Sequence, residues 1–250
     1  MSFSVSKITT AIVAFTLLIL AVFPASAAPS KRVTAPSLQW VEEVFVDYGA
    51  DTHAGPGPHP TTESNSFHLT QGGIKWFAGG MVEYKITGTE AVSGGNTAIV
   101  DAEDIVDGFI ITREFSRDDS TAQENLCTGD PNTVQWTAID GEGGALASAR
   151  VCRNVATKEI GGFVITIDTS EPWSVGDSPT TYDVQNALTH EWLHVAGLDH
   201  TNAPKDGCLT SYRFAGLGET QKRTLGLGDK LGMDVLYSTG NTSPGPGCSN

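Results

Sequence analysis

Basic residues are scarce in this chain. Lysine and arginine together number 15 against 29 aspartates and glutamates, a formal charge of −14 over 250 residues. A surface with that balance repels nucleic acid and anionic lipid headgroups, so neither is an expected partner. The four cysteines, Cys127, Cys152, Cys208 and Cys248, include no C-x-x-C pair, which argues against a zinc ribbon or a dithiol redox centre. EF-hand ligand spacing is missing too, so Ca2+ held by clustered carboxylates is an open second cation with no motif to place it. There are no internal repeats, and after the first 27 residues no run is apolar enough to cross a membrane.

The amino terminus carries the one long apolar stretch. Lys7 gives a positive start, Ile8 to Phe23 is almost unbroken in its apolarity, and Ala25-Ser26-Ala27 offers a small-x-small cleavage site. At about 16 residues the run falls short of the roughly 20 needed to span a bilayer. Residues 1–27 are therefore expected to be a cleaved signal peptide, and the mature chain to be secreted, extracellular and monomeric. An even number of cysteines in an exported chain predicts two disulfides. Of the three pairings, Cys127–Cys152 and Cys208–Cys248 close the shortest loops and are favoured.

Residues 28–66 read as a linker-like or pro-like extension. Ser37 to Tyr48 has apolar content in Leu38, Trp40, Val41, Val44, Phe45 and Val46, but Gly49 to Ser66 is rich in Gly, Pro, Thr, Ser and His. His53, His59 and His68 stand in or near it with no partner at ligand spacing and are expected to be solvated. The organised domain is expected at 67–250. Ile74–Phe77 and Val82–Ile86 read as strands, and Ala102–Phe115 as a helix with its acids on the solvated face. Val134–Ile139, Ala145–Val151 and Phe163–Asp168 read as further strands. A helix follows, capped by Thr181 or Asp183, with Val184, Leu188, Trp192 and Val195 on its apolar side.

That helix runs into His190-Glu191-Trp192-Leu193-His194-Val195-Ala196-Gly197-Leu198-Asp199-His200. Residues four apart on a helix share a face, so His190 and His194 point at one place with Glu191 beside them. Gly197 tolerates the left-handed backbone that ends a helix sharply, and the turn brings His200 back as a third nitrogen. Three protein ligands with one position left for water describe a catalytic zinc; structural zinc sites are closed by four. The pattern predicts Zn2+ on the three histidines and Glu191 as the base that takes a proton from zinc-bound water.

The motif H-E-x-x-H-x-x-G-x-x-H resembles that of the metzincin metalloproteases. Within that clan the chain is most similar to the matrixins over roughly residues 67–238. The similarity lies in Gly144-Ala145-Leu146-Ala147-Ser148-Ala149, Ile160-Gly161-Gly162, Ile167-Asp168 and Glu171-Pro172-Trp173-Ser174. It extends through Thr201 and Pro204 to Asp229, Gly232, Leu236 and Tyr237. The resemblance implies an α/β zincin-like fold: a five-stranded mixed sheet with one antiparallel edge strand, a backing helix, an active-site helix and a small carboxy-terminal subdomain. It also implies an endopeptidase whose protein or peptide substrate pairs with the edge at Ala145, Leu146, Ala147, Ser148 and Ala149.

Two departures stand out. The methionine of the turn beneath the zinc falls at Cys208 here, while Met233 belongs to the closing helix. A thiolate from Cys208 would close the site and leave a catalytically silent zinc-binding module, the competing expectation. Residues 28–126 also lack the cysteine through which many matrixin leaders silence their zinc.

Overall fold

The structure is a computed structural model and describes residues 39–49, 63–110 and 113–244. The expected signal peptide and Cys248 lie outside the described residues. Strands β1 (Trp40–Gly49), β2 (Met81–Thr87), β3 (Glu114–Arg117), β4 (Thr133–Thr137), β5 (Ala145–Asn154), β6 (Ile160–Asp168) and β7 (Phe214–Ala215) form one sheet in the order β7-β1-β5-β6-β4-β2-β3. Helix α1 (Gly95–Asp107) crosses between the parallel strands β2 and β3, the kind of connection parallel pairing requires. Helix α2 (Val184–Val195) carries the histidine motif, and α3 (Leu227–Tyr237) closes the domain.

Strands β2, β3, β4 and β6 are mutually parallel, and β5 runs antiparallel to β6. This is the expected five-stranded mixed sheet, extended by two strands. β1 lies antiparallel along the free side of β5, in register from Trp40 opposite Asn154 to Tyr48 opposite Ala145. β7 then pairs parallel with β1 through Tyr48–Phe214 and Gly49–Ala215. The edge expected at Ala145–Ala149 is thereby corrected: β5 is an interior strand, and the chain's own residues 45–48 occupy its pairing groups. Strand β1 comes from the stretch expected to be linker-like or pro-like. Its second half alternates, with Phe45, Asp47 and Gly49 buried while Val44 faces solvent.

Two local expectations also change. The helix expected over Ala102–Phe115 begins earlier, at Gly95, and stops at Gly108. Phe115 falls instead in β3, where its amide donates to Asp107 Oδ1 at 2.9 Å. A short apolar run fits both periods, and the glycine decides between them. Ile74–Phe77 is irregular, with a single bridge from Lys75 to Glu159. Ile74 and Trp76 are buried in the core, and Trp76 Nε1 donates to the Val195 carbonyl at 2.9 Å, one of the acceptors left free at the end of α2.

The core between sheet and helices is aromatic. The fully buried Trp192 of α2 meets Tyr84 of β2, Phe115 of β3 and Phe163 of β6, each with ring centroids 5.1 Å apart. Tilted and edge-on rings at this spacing combine large apolar burial with favourable quadrupole alignment. α2 is thus fixed to three strands by one side chain, two residues from each of its histidines. Behind it, Tyr84 donates from its hydroxyl to Glu103 of α1 at 3.2 Å. Burial pushes the Glu103 carboxyl up to about 7, and nearby Asp107 adds to the shift.

Candidate metal centre

The site is built from the start of α2 onward. Asp183 caps the helix by accepting from the Asn186 amide at 2.8 Å, and Arg223 holds that carboxylate with two bonds of 2.8 and 2.7 Å. Two turns further on, His190 and His194 share a face with ring centroids 4.6 Å apart. The helix ends at Gly197, whose φ of 102° lies in the left-handed region. A Cβ there would come 2.2 Å from the Ile74 carbonyl oxygen, so backbone conformation and close approach both demand glycine. The reversed chain passes Leu198 and Asp199 and delivers His200.

The three Nε2 atoms converge. His190 to His194 is 3.0 Å, His194 to His200 is 3.1 Å and His200 to His190 is 3.2 Å. His190 Nδ1 lies 2.6 Å from the Thr210 carbonyl oxygen and His194 Nδ1 2.9 Å from that of Leu198. A carbonyl oxygen only accepts, so both Nδ1 atoms carry the proton and both Nε2 atoms present lone pairs. A proton on His200 Nε2 could serve one of them, yet the pair 3.0 Å apart on α2 would still face each other. A cation at the common point removes that repulsion, and zinc accepts imidazole nitrogen in such sets. Burial lowers all three imidazoles: His190 well below its usual range, His194 to about 4 and His200 to about 2. They are therefore neutral, the state that binds metal.

The turn that supports His190 is itself held by α3. Asp229 accepts from the Thr210 and Gly226 amides at 2.7 and 2.9 Å. It also takes the Ser211 amide and hydroxyl at 3.1 and 2.6 Å. A fully buried carboxylate with four donors is fixed in place, and through Thr210 it fixes the His190 ring. Sequence reading placed Asp229 in the closing helix without this role; an acid in a helix's first turn was the available signal. Cys208 precedes this turn. It is buried and disulfide-bonded, and it joins no metal-ligand cluster among the described residues. A disulfide sulfur is no thiolate, so the closing ligand expected of a silent module is not supplied by Cys208. The favoured pair Cys127–Cys152 is present, with Cα atoms 5.7 Å apart, and the partner proposed for Cys208 lies outside the described residues.

Glu191 is fully buried beside the triad, and its oxygens make no close hydrogen bond, with only the Ala149 amide near enough to favour the carboxylate. Burial raises its carboxyl well above the usual range, with the Asp47 carboxylate adding to the effect. Two residues of β1 were not foreseen here. Phe45 stacks on His194 with centroids 4.2 Å apart and planes within 7°, and presents an edge to His200 at 6.2 Å. Asp47 is fully buried with no close hydrogen bond to either oxygen, the Tyr48 amide lying nearby, and its carboxylate, a His190 nitrogen and a Glu191 oxygen lie within 4.8 Å of one another. Burial pushes Asp47 up to about 7, with Lys222 pulling the other way. Lys222, also fully buried, donates to the Tyr212 and Phe214 carbonyls at 2.6 and 2.7 Å and so props the segment leading into β7. Tyr212 is buried, edge-on to Phe214 at 5.8 Å. His68 is exposed, as expected, and its Nδ1 donates to the His200 carbonyl at 2.8 Å. His53 and His59 lie outside the described residues.

A search of the curated proteins finds no match to the chain. The matrixin family model matches residues 114–238, half of the 250-residue chain, a span running from β3 through the metal-site loop to α3. No described helix is long and apolar enough to cross a membrane. With that match over half its length, the chain belongs to the matrixin family of zinc-dependent metalloproteases.

Proposed function

We propose that the chain is a secreted endopeptidase in which His190, His194 and His200 hold a catalytic zinc and Glu191 is the general base. The observation that carries this reading is the convergence of three Nε2 lone pairs within 3.0–3.2 Å, two of them with the Nδ1 proton committed to backbone carbonyls. Zinc bound there supplies Lewis acidity, lowering the pKa of a coordinated water toward neutrality and polarising a peptide carbonyl. Glu191 makes no close hydrogen bond, and burial, outweighing the nearby Ala149 amide, raises its proton affinity toward the working range of a base. It takes the proton of the attacking water and passes it to the departing amine.

Once the extension that carries β1 is removed, the substrate binds as an extended strand on the backbone of Ala145, Leu146, Ala147, Ser148 and Ala149. Supporting this, β1 pairs with that stretch antiparallel, so the groove accepts a strand of ordinary geometry. Residues 1–27 provide export and the extension through residue 66 is processed.

The test is metal analysis beside activity. One zinc per chain is expected, with hydrolysis of a denatured protein by the secreted and processed form. Glu191→Ala should keep the zinc and lose turnover by several orders of magnitude. Full turnover in that variant would remove Glu191 from the chemistry; zinc without hydrolysis in the processed wild type would point to a binding module.

A further inference from the structure

Strand β1 shows how the groove along β5 receives an extended chain, and two adjacent positions of it are selective. Tyr48 stands opposite Ala145 on one side and Phe214 on the other. Its amide donates to the Arg213 carbonyl at 3.4 Å, and the Arg213 guanidinium lies over its ring with Cζ 5.6 Å from the centroid. The same guanidinium is 5.4 Å from the Phe214 centroid, and its Nε is buried with no hydrogen-bond partner. An aromatic face attracts a guanidinium at this range, the more so where water is excluded.

The next position meets a wall. Gly49, opposite Ala215, is buried, and a Cβ there would overlap the Tyr182 hydroxyl. Its φ lies outside the left-handed region, so space alone calls for glycine, as where another group approaches a strand closely. Tyr182 is itself fixed. It is buried in the core with its ring against Trp173 at 6.2 Å, and it immediately precedes Asp183, the cap of α2. Asp47, one residue before Tyr48, brings its carboxylate within 4.8 Å of a His190 nitrogen and a Glu191 oxygen. The selective pair therefore follows the residue at the metal centre, on its carboxy-terminal side.

We propose that the cleft selects substrates with an aromatic residue followed by glycine, carboxy-terminal to the cut. Arg213 recognises the ring, and Tyr182 excludes any side chain at the next position. The inference rests on the zinc endopeptidase reading, with the substrate paired to Ala145–Ala149 as β1 is. Main-chain bonds along the groove hold any extended chain alike, and the side-chain contacts make the choice. Both residues act on substrate choice and take no part in the proton transfers assigned to Glu191.

The experiment profiles the secreted, processed, zinc-loaded protein on a peptide library, then on defined peptides carrying Phe-Gly, Ala-Gly or Phe-Ala at the selected positions. In wild type, kcat/KM should favour Phe-Gly over Ala-Gly about five-fold and over Phe-Ala about ten-fold. Arg213→Ala should lose the first preference and keep the second, with Arg213→Lys retaining part of the first. Tyr182→Phe should lose the second and keep the first. Each comparison is a ratio between peptides within one variant, so a smaller folded fraction does not imitate either result. The same peptides are bound, uncut, to processed Glu191→Ala protein, alone and with each variant, and followed by fluorescence anisotropy. No preference at the two positions in wild type, or a preference unchanged by the variant assigned to it, overturns the proposal. Preferences in binding that respond to the variants, with no hydrolysis in any protein, uphold it and fail the endopeptidase reading instead.

Discussion

Asp229 makes no direct approach to the metal position, yet it is the residue on which His190 depends. Its carboxylate gathers the amides of Thr210, Ser211 and Gly226, and the Thr210 carbonyl orients the imidazole. Asp229→Asn would turn an NH2 group toward donors and loosen that turn. Zinc affinity should fall about 10–100-fold, the usual effect of losing such support, as measured by competition with a chelator. Unchanged affinity would show that the turn stands without it. Glu103 offers a test of a different kind. Its carboxyl is raised from 4.5 to about 7 chiefly by burial, so the folded chain binds the proton more tightly than the unfolded chain. This stabilisation is complete below the unfolded pKa and is lost as pH rises through the folded one. Stability should fall between about pH 4.5 and 7 on this account. Glu103→Gln should flatten that slope and stabilise the protein at pH 8 by about 2 kcal/mol, read from urea unfolding at several pH values.

At the scale of the element, α2 and its turn were legible because everything that specifies them is local. The i, i+4 histidine spacing, the capping Asp183 and the glycine at the stop lie within fifteen residues or so, and each has one structural meaning. The aromatic clamp was legible only by half: Trp192 reads as apolar from its spacing, while its partners Tyr84, Phe115 and Phe163 come from three separate strands. Phe115 was even expected in a helix. Truncating the clamp tests its weight. Trp192→Ala should cost about 3–5 kcal/mol, as large-to-small core changes do, and the zinc site should weaken with it because both histidines ride on the same helix. Gly197→Ala should be comparably damaging for a different reason: a left-handed alanine costs about 1–2 kcal/mol, and its Cβ meets the Ile74 carbonyl at 2.2 Å. Metal content and thermal unfolding measured together on both variants check this; a native-like Gly197→Ala would show that the turn can adopt another path.

For the whole molecule, the feature that sequence reading could not reach is the placement of β1. Its glycine- and proline-rich continuation reads as linker, and nothing in Phe45-Val46-Asp47-Tyr48 marks the acid for a role. Nothing local says that position 47 meets position 190, across more than half the chain. Only the assembled sheet brings an apolar-flanked aspartate to His190 and Glu191. Its integration predicts a global consequence. β1 is hydrogen-bonded along β5 and held again by β7, Trp40 lies against Gly161, and Glu43 pairs with the half-buried Arg153 at 2.6 Å. Phe45 adds a buried ring. Removing the strand turns β5 into a true edge and exposes the groove, so the processed protein should be less stable than its precursor. With a loss of a few kcal/mol and about 2–4 °C per kcal/mol for a domain of this size, Tm should drop by roughly 5–15 °C. Calorimetry on a Glu191→Ala chain, cut at a specific protease site introduced between residues 49 and 63 and then freed of the amino-terminal piece, measures this directly. A groove-binding peptide should restore part of the loss by mass action. An unchanged Tm after release of the piece would mean that β1 adds little to the fold and is held only weakly in the groove.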